Sequence, residues 1–404
     1  MRVSRILACL CLLLATTLLS CASRPTLVMP EHAPALDLPH RSIIHEQPSL
    51  RAIQIWDRRV VVQPAHPRSH GFYVVNKDIP TASPLRINKC RNILSLGENR
   101  DSLFALCRND QRLILMNQKR GFGGTWKTEA LPESLDEAST TYSLTVSNQA
   151  IAIVSSDAVH FKKFTGSWHS ATLASLGVEK PPFAEIRWPF PRHVLLTSDS
   201  LFLGYNHGEW EGYLYQIPLE ENAEKLKGPA KKFPKIQNVV GLAEDRNGDV
   251  WVAGGLSHLS SRWASLFILK KGGDDRTIMN ELCSAYEYVQ PRWMTILTPK
   301  PLLTACTDFS GLYLGPEANP QILASQLGIL EFSEQDFSFK LKADFRAEPV
   351  RARAPYDNRI YPVGFVATSE ESYIVATAET GVLVLLKSGD TYSFSQILIP
   401  HEAD

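Results

Sequence analysis

Short apolar runs return along this chain at a nearly constant interval, and that recurrence limits the folds open to it. They are Val60–Val62, Leu103–Leu106, Ile151–Val154, Leu201–Gly204, Val250–Ala253, Leu302–Ala305 and Tyr373–Ala376. The interval is roughly 45–50 residues, and the last one is some 20 residues longer. Runs this short and this apolar read as strands packed on both faces. Each follows a shorter strand pattern and a polar turn. A third strand shows as Gly71–Val75, Gly311–Leu314 and Gly381–Val384, and a fourth as Tyr392–Ile399. A sheet of four short strands, repeated at this period, is the pattern of an all-β propeller. Helical alternatives fail because 26 prolines and 23 glycines punctuate the sequence and no long 3.6-residue period appears. The pattern predicts seven blades over residues 51–404; six or eight also fit. Gln335–Asn358 is expected to absorb the long interval, as a lengthened outer hairpin, a surface loop or a blade of its own.

The best-kept copy of the unit is Val239–Gly254. Val239–Ala243 predicts one strand, Asp245–Asp249 a turn and Val250–Ala253 the next strand. Asn247-Gly248 suits a tight hairpin, since both residues tolerate positive φ. The run Gly241-Leu-Ala-Glu-Asp-Arg-Asn-Gly-Asp-Val-Trp-Val252 resembles the repeat of bacterial two-component-regulator and related NHL-type propellers. The other copies keep the apolar pattern and lose the Asp-x-x-Gly turn, so the resemblance implies the fold and says little of function. In the two-component proteins such a propeller is an extracytoplasmic sensor joined to a kinase. No kinase is expected here, because the chain ends at Asp404. Two tryptophans share a Gly-x-Trp-x4-Leu frame, Gly124-Thr125-Trp126 with Leu131 and Gly166-Ser167-Trp168 with Leu173. Both read as the start of an outermost strand. Gly208-Glu209-Trp210 continues the spacing in a different context. Trp251 and the other tryptophans are expected between blades.

Residues 1–20 read as a signal peptide. Arg2 and Arg5 precede an apolar run from Ile6 to Leu19, broken by Thr16 and Thr17 and short of the ~20 residues that a membrane-spanning helix needs. The ending Leu18-Leu19-Ser20-Cys21 resembles a bacterial lipoprotein signal. That resemblance implies cleavage before Cys21 and lipid on its sulfur and amine. Several acyl chains, at ~0.8 kcal/mol per buried CH2, anchor stably. Ala22, where an Asp often retains such proteins in the inner membrane, implies the outer membrane. Residues 21–50 carry Pro25, Pro30, Pro34, Pro39 and Pro48 and are expected to form an extended tether. His32, His40 and His45 read as solvated linker histidines.

Four cysteines follow Cys21, namely Cys90, Cys107, Cys283 and Cys306. Three pairings are formally open. A turn near Glu98-Asn99 sets Cys90 opposite Cys107, within reach of a disulfide, and leaves Cys283 to pair with Cys306. No Cys-x2-Cys spacing points to zinc. Asp245-Arg246-Asn247-Gly248-Asp249 alternates acids and an amide as calcium loops do, but its glycine is at the fourth position, not the sixth. It reads as a turn. His66 and His70 are spaced for one helix face, but Pro64 and Pro67 exclude a helix. No metal site and no cofactor are expected.

Lys plus Arg equals Asp plus Glu, 42 each, so nothing predicts an electrostatic grip on nucleic acid. The sialidase-type Ser-x-Asp-x-Gly-x-Thr-Trp box, the Trp docking motif of quinone-dependent dehydrogenases, the Gly-x-Ser-x-Gly elbow and the Walker loop are absent from the sequence. The leading expectation is a lipid-anchored envelope propeller that binds a protein or glycan partner. One alternative is a hydrolase or lactonase with a divalent metal in the central channel, which no linear motif would reveal. Another is an extracytoplasmic sensor module.

Overall fold

The computed structural model describes residues 26–28, 35–36, 50–64, 72–76, 81–110, 112–120, 125–135, 141–179, 190–207, 212–220, 225–258, 261–273, 275–284, 309–314, 319–324, 328–344, 362–369, 372–377, 382–388 and 391–397. Among these residues every regular element is a strand, and no helix is long and apolar enough to cross a membrane. Two short strands come first, β1 (Thr26–Val28) and β2 (Ala35–Leu36). Blade one holds β3 (Leu50–Trp56), β4 (Arg59–Pro64), β5 (Tyr73–Asn76) and β6 (Thr81–Pro84). Blade two holds β7 (Asn92–Glu98), β8 (Ser102–Asn109), β9 (Arg112–Lys119) and β10 (Lys127–Glu129). Blade three holds β11 (Ser143–Val146), β12 (Ala150–Val154), β13 (Ala158–Lys163) and β14 (His169–Thr172). Blade four holds β15 (His193–Leu196), β16 (Ser200–Gly204), β17 (Tyr213–Pro218) and β18 (Lys231–Gln237). Blade five holds β19 (Val239–Glu244), β20 (Val250–His258), β21 (Ser261–Leu269) and β22 (Arg276–Ser284). Blade six holds β23 (Phe309–Leu314), β24 (Pro320–Ala324), β25 (Gly328–Ser333) and β26 (Ser338–Asp344). Blade seven holds β27 (Pro362–Ser369), β28 (Ser372–Thr377), β29 (Val382–Ser388) and β30 (Thr391–Ile397).

Within each blade the strands pair antiparallel in chain order. The first strand of each blade packs on the first strand of the next, and β27 packs on β3. The ring is therefore closed, and the protein is a seven-bladed β-propeller. Its core is divided among the blade interfaces. One apolar cluster joins blades one and two through Trp56, Val61, Ile93 and Met116. Another joins blades seven and one through Val62, Tyr73, Ile374 and Val384. Equivalent clusters fill the other five interfaces. The second strands bury both faces: every residue of β12, β16, β24 and β28 is buried. That double burial is why they are so apolar and so legible in the sequence.

Blade six departs from the sequence reading. Gly311–Leu314, expected as a third strand, lies in β23, the first strand of its blade. The second strand is β24, which carries Pro320 and Gln321 in an otherwise buried apolar run. The polar Gln321 hides the run in the sequence, while in the fold its Nε2 donates to Glu331 Oε2 at 3.4 Å. Leu302–Ala305 lie outside the described residues. The longest interval between successive described strands falls between Ser284 and Phe309; of Gln335–Asn358, residues 335–344 make a turn and the strand β26, and residues 345–358 lie outside the described residues.

Segment 21–50, expected as a free tether, supplies two strands to the rim. β1 lies parallel to β26, with Thr26 opposite Ser338. β2 lies between β26 and β30 and joins the outer edges of blades six and seven. Outer strands present unpaired backbone groups to any passing extended segment.

Trp56, Trp126, Trp168 and Trp251 sit between blades, as expected, while Trp188, Trp210 and Trp293 lie outside the described residues. Trp56 of blade one stacks on Trp126 of blade two, centroids 6.0 Å apart. Trp168 Nε1 donates to Ala130 O across blades three and two at 2.7 Å. Trp251 is 1 % exposed and packs on Phe332 of blade six at 5.9 Å.

Candidate functional site

A propeller leaves one edge of each first strand facing its axis, with backbone groups that no fifth strand pairs. Two depressions occupy the ends of this axis. Hairpin turns between first and second strands make one mouth. There Glu98, Asn99, Ser147, Asn148, Gln149, Ser198 and Glu244 line a polar hollow of roughly 440 Å³. Of its two acids, Glu98 has partners within the protein. Glu98 Oε2 accepts from Asp57 N at 2.8 Å and pairs with Arg120. Burial first, then the charge of Asp199, raises the Glu244 carboxyl above its ordinary range.

The turns at this mouth share one device. Asn99 Oδ1 accepts from the amides of Asp101 and Ser102. Ser147 Oγ does the same for Gln149 and Ala150. Thr197 Oγ1 caps Ser200, and Asp245 Oδ1 accepts from Asn247 at 2.8 Å and Asp249 at 3.0 Å. Short polar side chains close their own turns in this way. Asp245 Oδ2 also takes the Trp251 indole N–H at 3.2 Å, and Asp249 Oδ2 takes Lys270 at 2.9 Å. The Asp245–Asp249 loop thus uses its carboxylates to build a turn.

The opposite mouth is built differently. Five first strands carry a β-bulge at the same level, where the register slips between Leu50 and Ala52, Ile93 and Ser95, Val239 and Gly241, Phe309 and Gly311, and Pro362 and Gly364. A bulge leaves one residue out of the ladder and re-aims its neighbours. At this level a cavity of roughly 600 Å³ opens, walled by the first strands of all seven blades. Its polar wall is neutral for the most part: the amides Gln54, Gln63 and Asn206, and the hydroxyls Ser95, Ser143, Ser310 and Tyr142. Phe72, Phe309 and Phe365 give it apolar panels. Arg192 and His193 stand at the start of β15 on the same wall. Burial, and then the Arg192 charge, holds the His193 imidazole down to about 4, so it is neutral near pH 7. The same two causes lower His207, whose Nε2 is buried without a hydrogen-bond partner. Among the described residues that line this cavity there is no carboxylate.

A flap rises beside this mouth. Val239 pairs with Gly254, but β20 continues to His258, and β21 and β22 follow it. Leu256 of the flap lines the cavity and faces Trp263 across the ladder.

Among the described residues no group of three or more His, Cys, Asp or Glu side chains could hold a metal ion. Cys90 and Cys107 form a disulfide with Cα atoms 5.5 Å apart. It ties the segment entering blade two to the second strand. Cys306 and the side chain of Cys283 lie outside the described residues. So do residues 1–20, Cys21, His32, His40, His45, His66, His70 and Trp210. Sequence reasoning missed the bulged mouth. Its one trace is a glycine two residues after the strand start, in Val239-Val240-Gly241, Phe309-Ser310-Gly311 and Pro362-Val363-Gly364.

No family model matches the chain, and no curated protein matches it. Among solved structures it is similar to the extracellular domain of a hybrid two-component system from B. thetaiotaomicron. That match has a TM-score of 0.44 at 10% identity and covers 84% of this chain and 38% of that one. This chain thus spans less than half the length of that domain. It is also similar to virginiamycin B lyase from Staphylococcus aureus in complex with quinupristin, with a TM-score of 0.48 at 13% identity, covering 86% and 99% of the two chains. A protein from Lactobacillus plantarum gives 0.45 at 12% identity, covering 87% and 95%. The propeller assignment itself rests on the sheet order and ring closure of this chain.

Proposed function

We propose that this protein is a binding module of the bacterial cell envelope. Removal of residues 1–20 and lipid on Cys21 would anchor it, by the signal pattern at the outer membrane. Its partner, an envelope protein or a glycan, docks at the bulged mouth of the channel. The observation that carries this reading is the ring of five bulges around a cavity lined by side-chain amides and hydroxyls. Bulges concentrate where a fold re-aims groups for recognition, and pockets of roughly 300–1,000 Å³ with a few convergent polar groups are ligand seats. The Cys90–Cys107 disulfide supports an oxidising compartment.

The test is site-directed photocrosslinking in intact envelopes. A photoreactive residue at Asn206 reports the bulged mouth, and one at Asn148 reports the opposite face. An adduct from Asn206 and none from Asn148 is the expected result. Adducts from Asn148 alone would sink the assignment of the mouth. In parallel, Cys21→Ser should move the protein from the membrane fraction to the soluble one; retention on the membrane would refute the lipid anchor.

A further inference from the structure

The chain joins the ring on one side of the disc. β1 lies parallel to β26, and its first residue, Thr26, stands opposite Ser338. Ser338 is the residue that leaves the turn 334–337. Ion pairs fix the height of that turn. Glu334 pairs with Lys270 at 3.3 Å, and Lys270 also pairs with Asp249, in the turn between the first and second strands of blade five. β1 therefore starts on the side that carries the first-to-second-strand turns and runs, with β26, away from it. The bulged mouth lies on the other side.

Cys21 is close to this entry point. Five Cα-to-Cα steps separate it from Thr26, and an extended chain covers at most about 18 Å in five steps. β26 alone has seven residues, about 23 Å at the rise of a strand. The tether is thus shorter than the strand that leads away from the turn side. The exposed apolar side chains agree. Among the described residues the exposed large hydrophobics are Phe164 and Leu386, at 38 % and 42 %. Phe164 stacks on Phe104, and its N–H donates to Gln149 O in the first turn of blade three. Leu386 stands opposite Ser372, the first residue of β28. Both are at the turn-side ends of their strands, one on blade three and one on blade seven, so a flat surface meets both when it lies across the turn side. Apolar side chains gain by entering the headgroup boundary of a bilayer. We infer that the turn side of the disc faces the membrane, with the edge of blade six at the lipid headgroups, and that the bulged mouth opens away from it. This inference rests on the lipid anchor at Cys21.

The intact lipidated protein, reconstituted in vesicles of phosphatidylethanolamine and phosphatidylglycerol, tests it. A fluorescent amino acid replaces Gln335, in the turn before β26, or separately Arg112, at the start of β9 on the bulged side; both positions are exposed. The quencher is a nitroxide on the lipid headgroup. Quenching should be several-fold stronger at Gln335 than at Arg112. A Gly-Ser insertion of about 20 residues after Ala22 makes the tether a coil of roughly 25–30 Å span. It should lower the quenching at Gln335 toward the Arg112 value and keep the protein on the vesicles. Thermal melting of each variant checks that it folds. Equal quenching at the two positions, or stronger quenching at Arg112, would overturn the orientation and leave the anchor standing. Unchanged quenching after the insertion would overturn the short tether as its cause. Failure of the native protein to float with the vesicles would overturn anchor and orientation together.

Discussion

The carboxylate of Asp245 receives the amides of Asn247 and Asp249 on one oxygen and the Trp251 indole on the other. It closes the turn and fixes the wedge between blades five and six at once. Asp245→Ala should cost about 1–3 kcal/mol, because it leaves three donors to find other partners. Ser147→Ala, which uncaps a turn without an indole, should cost about 1 kcal/mol. Denaturant midpoints of the two variants measure the difference; equal losses would refute the double role. The Asp-x-x-Gly motif of blade five has an equivalent at Asn99, Ser147 and Thr197, where amide and hydroxyl oxygens do the same work. The sequence hides this because three chemistries satisfy one geometry. His160 sets a second residue-scale expectation. It is 1 % exposed, its Nδ1 lies 2.8 Å from Ser170 Oγ, and burial holds it down to about 4 from an ordinary 6.5. Between those values the unfolded chain binds the extra proton, so stability is full above pH 6.5 and falls as pH drops toward 4. The loss is on the order of 3 kcal/mol at its largest. His160→Gln should flatten the slope of stability against pH in that window; an unchanged slope would assign it to other groups.

At the scale of elements, each blade works as a hairpin pair whose second strand is sealed and whose first strand is open to the axis. The Cys90–Cys107 disulfide closes a loop of sequence separation 17 and binds the entry of blade two to β8. Loop-closure entropy puts its contribution at about 3 kcal/mol. Reduction should lower stability by that order, as a drop in melting temperature with and without reductant. A shift near zero would mean that the hairpin alone holds the register. Blade packing is close enough to restrict single positions. A Cβ on Gly255 would lie 1.8 Å from the carbonyl oxygen of Phe309, so β20 meets β23 backbone to backbone. Strand type and order were legible in β4, β8, β12, β16, β20 and β28, where burial on both faces forces apolar runs. They were not legible in β24, whose Gln321 finds its partner on the neighbouring strand.

For the whole molecule, ring closure is the feature with most consequence. No strand is exchanged between blade seven and blade one: β27–β30 come from one end of the chain and β3–β6 from the other. The seam is held by packing, through Val62, Tyr73, Ile374 and Val384. A Cβ on Gly364 would meet Ile53 Cγ2 at 2.9 Å across that seam. Gly364→Val should therefore open the ring locally. Hydrogen exchange should rise in β3 and β27 and stay unchanged in blades three and four, since each blade touches its neighbours alone. A uniform rise would show that the ring yields as one unit. β2, lying between β26 and β30, braces the blade next to the seam.

The sequence by itself determined the strand class, the period and most of the second strands. A strand buried on both faces has no choice but to be apolar, and a turn has few residues to choose from. It also determined the two tryptophan frames and the reach of Cys90 to Cys107, which are local to one blade or to neighbouring ones. Only the tertiary structure decided the phase of blade six, the closure of the seam and the docking of β1 and β2 on the rim. It alone assembled the bulged mouth. Gln54, Asn206, Arg192 and Ser310 come from three blades and are ordinary residues in their own stretches of chain. What makes them a site is the ring that brings the starts of seven first strands to one axis, and no stretch of sequence records that convergence.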